Sequence, residues 1–205
     1  MWDMSESPKV VQFPDDPTHY EVVTWDQLTN LIFLVAQKIT ADNLHFDRIV
    51  SLAKGGWPMA RTLADFLRVR EASSIGTRSY VGIGERTTNL EVYQDLHEIK
   101  GEKLLLLDDV SDTGKTLEFA LEYLQKRGAA SVSTATVYYK PHSIFKPNYY
   151  AKETSSWIIF PYEIIETSIL LHDKWQKASL PLEEITTRLE SIGCSPEWQK
   201  FLSIT

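Results

Sequence analysis

Four consecutive leucines, Leu104–Leu107, run straight into Asp108 and Asp109 and then into the polar turn Val110-Ser111-Asp112-Thr113-Gly114-Lys115-Thr116. The run is too short for a helix and too uniform for a half-exposed strand, so it reads as a central strand buried on both faces. Strands of that kind belong to parallel sheets whose faces are covered by helices. Downstream, Leu117, Ala120, Leu121 and Leu124 share one helical face, and Gly128 stands where a C-cap belongs. This one segment therefore predicts a strand, a tight turn and a crossover helix.

The flanking sequence repeats the pattern. Thr24 and Gln27 have capping-box spacing, and Leu28, Leu31, Ile32, Val35 and Ile39 recur on one helical face. A short apolar strand, 48–53, ends in Lys54-Gly55-Gly56-Trp57-Pro58, with Pro58 suited to the first turn of a helix bearing Leu63, Phe66 and Leu67. Residues 73–96 are polar, hold three glycines and are β-prone at both ends, which predicts a mobile lid hairpin rather than a core layer. The runs 131–139 and 156–160 complete the strand set. Alternating strands and helices predict an α/β fold, Rossmann-like, with a mostly parallel central sheet flanked by helices.

Composition narrows the partners. The 205 residues, 43% of them hydrophobic, suffice for one α/β domain with a sizeable core. A net charge of −7 argues against non-specific attraction to nucleic acid or anionic membrane. No apolar run approaches a membrane span, and the first residues lack a signal-peptide pattern, so a soluble cytoplasmic protein is expected. Cys194 is the sole cysteine, which excludes an internal disulfide and a cysteine-cluster metal site. The charge is uneven: residues 1–18 carry −3, residues 163–205 carry −3, and the stretch between is close to neutral. Three zones are expected: an acidic lead-in over 1–18, a core over 19–163, and a C-terminal extension over 164–205. In that extension, Leu182, Ile185, Leu189 and Ile192 before Gly193, and Ser195-Pro196-Glu197 leading to Trp198, Phe201 and Leu202, predict two short helices that pack on the core or form an oligomer contact.

In open α/β sheets, ligands bind beyond the carboxyl ends of the strands. The Gly114-Lys115-Thr116 triplet suggests a phosphate-binding loop of the NTPase kind, but that motif needs glycine five residues earlier, where Asp109 stands. Two adjacent carboxylates repel a triphosphate and suit the vicinal hydroxyls of a ribose, each of which donates a hydrogen bond. The turn Ser111–Thr116 then enters a helix whose free N–H groups and dipole favour a phosphate monoester. A diol site and a phosphate cradle are thus contiguous.

The segment 104–116 closely resembles the phosphoribosyl pyrophosphate (PRPP) signature of type I phosphoribosyltransferases, and the resemblance extends over roughly residues 20–163. It implies the following roles. Asp108 and Asp109 position the ribose diol and, mainly through substrate and water, Mg2+. Residues Ser111, Asp112, Thr113, Gly114, Lys115 and Thr116 hold the 5′-phosphate, and Asp112 is the general base at purine N7. Lys54, Gly55 and Gly56 form a pyrophosphate loop whose backbone around Lys54-Gly55, often through a cis peptide, turns N–H groups toward the leaving group. Arg78, Ser79 and Tyr80 begin the lid. The segments 138–141 and 155–163 resemble the branch acting on the 6-oxopurines xanthine, guanine and hypoxanthine. That implies Lys140 donating to the 6-oxo group, Trp157 stacking on the purine, and Ile158 meeting the base edge with its backbone. A lysine is a donor only, so it matches a carbonyl and disfavours the amino group of adenine. Lys115 replaces a glycine of the bacterial xanthine-guanine enzymes, Ile159 an acidic residue and Glu163 an aspartate. The expectation is a purine-salvage transferase, acting without nucleic acid or membrane and assembled as a homo-oligomer, dimer or higher. Adenine or orotate transferases and a PRPP-sensing regulator on the same fold are the alternatives.

Overall fold

The computed structural model describes residues 7–81 and 88–203. Along the chain the elements are β1 (Lys9–Gln12), β2 (His19–Val22), α1 (Trp25–Ala41), β3 (Arg48–Ala53), α2 (Gly56–Leu67), β4 (Glu71–Val81), β5 (Thr88–Gln94), β6 (Lys103–Ser111), α3 (Lys115–Lys126), β7 (Ser131–Tyr139), β8 (Tyr149–Glu153), β9 (Trp157–Ile159), α4 (Ile164–Lys177), α5 (Leu182–Ser191) and α6 (Pro196–Phe201). The chain divides into two units, one of residues 29–155 and one of 1–28 with 156–205.

The 29–155 unit is built on a six-stranded sheet of order β5-β4-β3-β6-β7-β8. Every pairing from β4 to β8 is parallel, and only β5 runs antiparallel to its neighbour. The leucine strand lies at its centre, and Leu104–Leu107 are all 0% exposed, each contributing about 1.5–3 kcal/mol by burial. Successive side chains alternate between faces. Leu104 and Leu106 meet Val50, Leu52, Ile75 and the α3 residues Leu117, Ala120 and Leu124 in one cluster. On the opposite face the start of α2 presses so close that a Cβ on Gly56 would stand 2.7 Å from the Leu107 carbonyl oxygen. The expected fold class is therefore observed: α/β, with a mostly parallel central sheet flanked by helices.

Local signals hold where they were specific. The capping box closes as expected, Thr24 N–H donating to Gln27 Oε1 at 3.0 Å and Gln27 N–H to Thr24 Oγ1 at 3.2 Å. Gly128 follows α3 with φ of 87°, a left-handed position that glycine takes without steric cost. Three expectations need correction. Of the expected lid, 73–76 instead belong to the first half of β4, which pairs along the whole of β3; their polar residues had hidden a core strand. The run 156–160 does not extend the central sheet, because β9 pairs with β2, while the edge is supplied by β8, whose Tyr-Tyr-Ala-Lys-Glu carries no apolar alternation. Phe66 lies 43% exposed rather than on the buried face of α2, and its ring meets that of Phe33 at 5.3 Å. Tyr149 of β8 donates to Asp42 Oδ2 at 2.7 Å, and burial together with that carboxylate pushes its phenol up to about 12.

The other unit has its own sheet, β1-β2-β9, and its own core of Phe13, Tyr20, Ile159, Leu171, Trp175, Ile185, Leu189, Ile192 and Cys194. The two short C-terminal helices are present as α5 and α6, with Ser195 capping α6 through Trp198 N–H; α4 was not anticipated. Asp16, 4% exposed, accepts from Tyr20 Oη at 2.6 Å, Lys174 Nζ at 2.7 Å and Thr18 N–H at 3.0 Å. Burial opposes its charge, but these donors hold its carboxyl well below the usual carboxylate range. Among the described residues no helix is long and apolar enough to cross a membrane.

Candidate active site

The carboxyl end of β6 carries the two acids on opposite faces, as strand alternation requires. Asp109 is buried at 7% exposure. It faces the β3–α2 loop so closely that a Cβ on Gly55 would fall 2.2 Å from Asp109 Oδ2. Only glycine admits that approach. Each acid also steadies the next peptide: Asp108 Oδ1 accepts from Asp109 N–H at 3.0 Å, and Asp109 Oδ1 from Val110 N–H at 2.7 Å. The β3–α2 loop holds one non-proline cis peptide, Ala53–Lys54, one bond earlier than the Lys54-Gly55 position expected. Lys54 is exposed and its carbonyl accepts from Trp57 N–H at 3.1 Å. The loop therefore touches the acid pair through Gly55 and opens to solvent through Lys54.

The turn after β6 leads into an open helix end. Gly114 takes φ of 82° and no side chain caps the start of α3; Glu118 N–H donates back to Gly114 O at 3.0 Å. The N–H groups of the first turn thus have no partner within the helix, which makes the site attractive to an anion. A pocket of about 270 Å³ is lined by Asp108, Asp109, Ser111, Asp112, Thr113, Gly114 and Thr116, with Val110 and Leu117. Lys115 points its exposed side chain from the same turn.

The β7–β8 connection braces this turn, a role that sequence reasoning missed. Lys140 N–H donates to Ser111 O at 3.1 Å, and Ile144 N–H to Thr113 O at 3.0 Å. Ser111 Oγ donates to Phe145 O at 2.8 Å and lies 3.0 Å from Ser143 Oγ. A Cβ on Gly114 would collide with Ser143 Oγ and Phe145 N, at 2.5 and 2.6 Å. Asp112, more than half exposed, meets His142 Nε2 through Oδ1 at 3.0 Å. Nothing in the spacing of Pro141-His142-Ser143-Ile144-Phe145 announces these contacts.

The remaining expected residues fall as follows. Lys140 is buried, at 7% exposure, directly after β7. Arg78 and Ser79 are exposed and stand within β4, as does the backbone of Tyr80; Arg78 Nε pairs with Glu91 of β5, and its guanidinium lies 5.9 Å from the Tyr93 ring. The tip of the expected lid, 82–87, lies outside the described residues. Trp157 and Ile158 belong to the other unit, in β9, where Trp157 is 54% exposed and Ile158 buried. There Trp157 borders an apolar pocket of about 240 Å³ with Thr18, Tyr20, Leu170, Leu171, Thr167 and Lys174. Among the described residues no group of three or more His, Cys, Asp or Glu could hold a metal ion by itself. Two adjacent carboxylates fit instead a Mg2+ ion that takes most of its ligands from substrate oxygens and water.

The chain is similar to several known proteins. A xanthine-guanine phosphoribosyltransferase of Gluconobacter oxydans is 31% identical over 150 residues, spanning 71% of this chain and 85% of its own. A second such enzyme, from Ruegeria, is 28% identical over 153 residues, with 69% and 84% covered. The structure of a purine phosphoribosyltransferase from Pyrococcus horikoshii superposes with a TM-score of 0.64 at 32% identity, over 70% of this chain and 93% of its own. A xanthine-guanine-hypoxanthine enzyme of Helicobacter pylori, at 17% identity, TM-score 0.61 and coverage of 74% and 97%, agrees in fold. Residues 24–169, including β3, β6, the open turn before α3 and the brace after β7, match the phosphoribosyl transferase domain, and the chain belongs to that family.

Proposed function

We propose that the chain is a purine-salvage enzyme that transfers the 5-phosphoribosyl group of PRPP to a 6-oxopurine, giving the nucleoside 5′-monophosphate and pyrophosphate. The observation that carries this reading is the continuity of two carboxylates at the end of β6 with the uncapped start of α3, in one pocket of about 270 Å³. Asp108 and Asp109 accept from the ribose 2′- and 3′-hydroxyls. The N–H groups and hydroxyls of residues 111–116 take the 5′-phosphate, while Lys54 and the backbone at Gly55 and Gly56 receive the pyrophosphate. Mg2+, when bound, neutralises the leaving group.

As the bond to pyrophosphate lengthens, positive charge develops at the anomeric carbon, flanked by the anionic acid pair. Inversion follows as a purine nitrogen attacks from the opposite face. Asp112 takes the proton released at N7. Lys140 donates to the 6-oxo group, and Trp157 and Ile158 offer an exposed ring and a strand backbone to the base. Arg78, Ser79 and Tyr80 lead to a lid that excludes water. The chain divides functionally into 1–18, 19–163 and 164–205, a reading supported for most of the middle segment by the family match over 24–169. Exposed Trp198 and Phe201 supply apolar surface for a homo-oligomer, and one buried free cysteine suits a reducing cytoplasm.

Product formation with PRPP, Mg2+ and a panel of xanthine, guanine, hypoxanthine, adenine and orotate tests the assignment. Turnover confined to one or more of the three oxopurines is expected. Turnover of adenine or orotate alone overturns the base assignment, and PRPP binding without any turnover, joined to salt-sensitive DNA binding, overturns the enzymatic one.

A further inference from the structure

We propose that His142 is a positioning residue for the general base, holding Asp112 in its working orientation. The inference rests on the reading of Asp112 as the base. It begins from the contact of His142 Nε2 with Asp112 Oδ1 at 3.0 Å. An ionised carboxylate only accepts, so Nε2 carries the proton and donates it. One oxygen of Asp112 is thereby engaged, and the second is the one that receives the purine proton.

The backbone that carries His142 is tied to the backbone that carries Asp112. His142 sits in a turn closed by Ser143 N–H donating to Lys140 O at 3.0 Å. Both ends of that turn are tied to the phosphate loop, through Lys140 N–H to Ser111 O and Ile144 N–H to Thr113 O. These two bonds bracket Asp112, which lies between Ser111 and Thr113 in sequence, so the pair is held by backbone on both sides. The same turn carries Lys140, the residue assigned to the 6-oxo group. Recognition of the base and orientation of its proton acceptor therefore share one short hydrogen-bonded turn.

The other charged groups on the segments packed against the turn are Asp108 and Asp109 on β6, Lys115 and Glu118 in the first turn of α3, and Lys140 and Lys146 on the loop itself. His142 Nε2 is the group seen on Asp112 Oδ1, so its single hydrogen bond is what orients the carboxylate.

The test measures kcat, KM and PRPP affinity for the wild-type enzyme, His142→Gln, His142→Ala and Asp112→Asn, all with PRPP, Mg2+ and the same oxopurine. His142→Ala should lower kcat by about tenfold, less than the roughly 100-fold or more that a general base supplies, with PRPP affinity and the KM for the base unchanged. His142→Gln, which keeps a donor, should restore kcat to near the wild-type value. An Ala variant of full kcat, or a Gln variant that restores no more than Ala does, overturns the proposal. If Asp112→Asn retains turnover, the assignment of the base itself fails, a result separable from failure of the His142 role.

Discussion

Asp109 and Gly55 show how one residue dictates another across the sheet. The acid is buried only because the chain opposite has no Cβ, and a methyl group there would overlap its carboxylate. Gly55→Ala is expected to weaken PRPP binding by about 1–3 kcal/mol, the usual penalty of overpacking, with the far-UV circular dichroism of the wild type; titration calorimetry with PRPP checks it. Asp112→Ala should lose about 100- to 10,000-fold in kcat, the span of general acid–base catalysis, yet still bind PRPP. Stopped turnover together with retained affinity in one calorimetric and kinetic series establishes both halves. The acid pair and the phosphate turn were legible in sequence because their spacing is itself the chemistry. His142 was not legible, since its contact with Asp112 depends on how a loop 30 residues away folds back.

At the scale of elements, legibility followed burial. β6 and β7 announce themselves because each carries a continuous buried stretch, 104–107 and 134–138, covered on both faces. β8 and the first half of β4 were hidden by their polar side chains, and both owe their strand state to a neighbour rather than to propensity. The apolar run at β9 was visible, yet its partner was not: periodicity reports that a strand is buried and says nothing of which strand it pairs with. The central strand also carries a firm expectation. Leu106→Ala, at a position 0% exposed, should cost about 2–5 kcal/mol, read as a lowered urea midpoint. β4 itself has two allegiances, parallel to β3 as far as Gly76 and antiparallel to β5 beyond an irregularity at Gly76/Thr77, where the Tyr93 ring covers the glycine. Amides of 71–75 are accordingly expected to exchange more slowly than those of 77–79 in native-state hydrogen exchange.

For the whole molecule, acid sensitivity concentrates at Asp16. Its folded carboxyl is held low by Lys174, Tyr20 and Thr18, so its contribution is complete above the ordinary value near 4 and drains away as the pH falls below it. Asp16→Asn should lower the melting temperature at pH 7 and flatten the loss of stability as the pH falls below about 4. Calorimetric melts across that range decide it. The division into two units gives the overall acidity a different meaning. Between residues 29 and 155, sixteen lysines and arginines meet fifteen aspartates and glutamates, whereas 1–28 and 156–205 hold five against thirteen. Isoelectric focusing and ion-exchange retention of this chain therefore report chiefly on the part without the phosphate turn. The part proposed to grip a polyanion is, electrically, almost neutral, and the acidity belongs to the other unit.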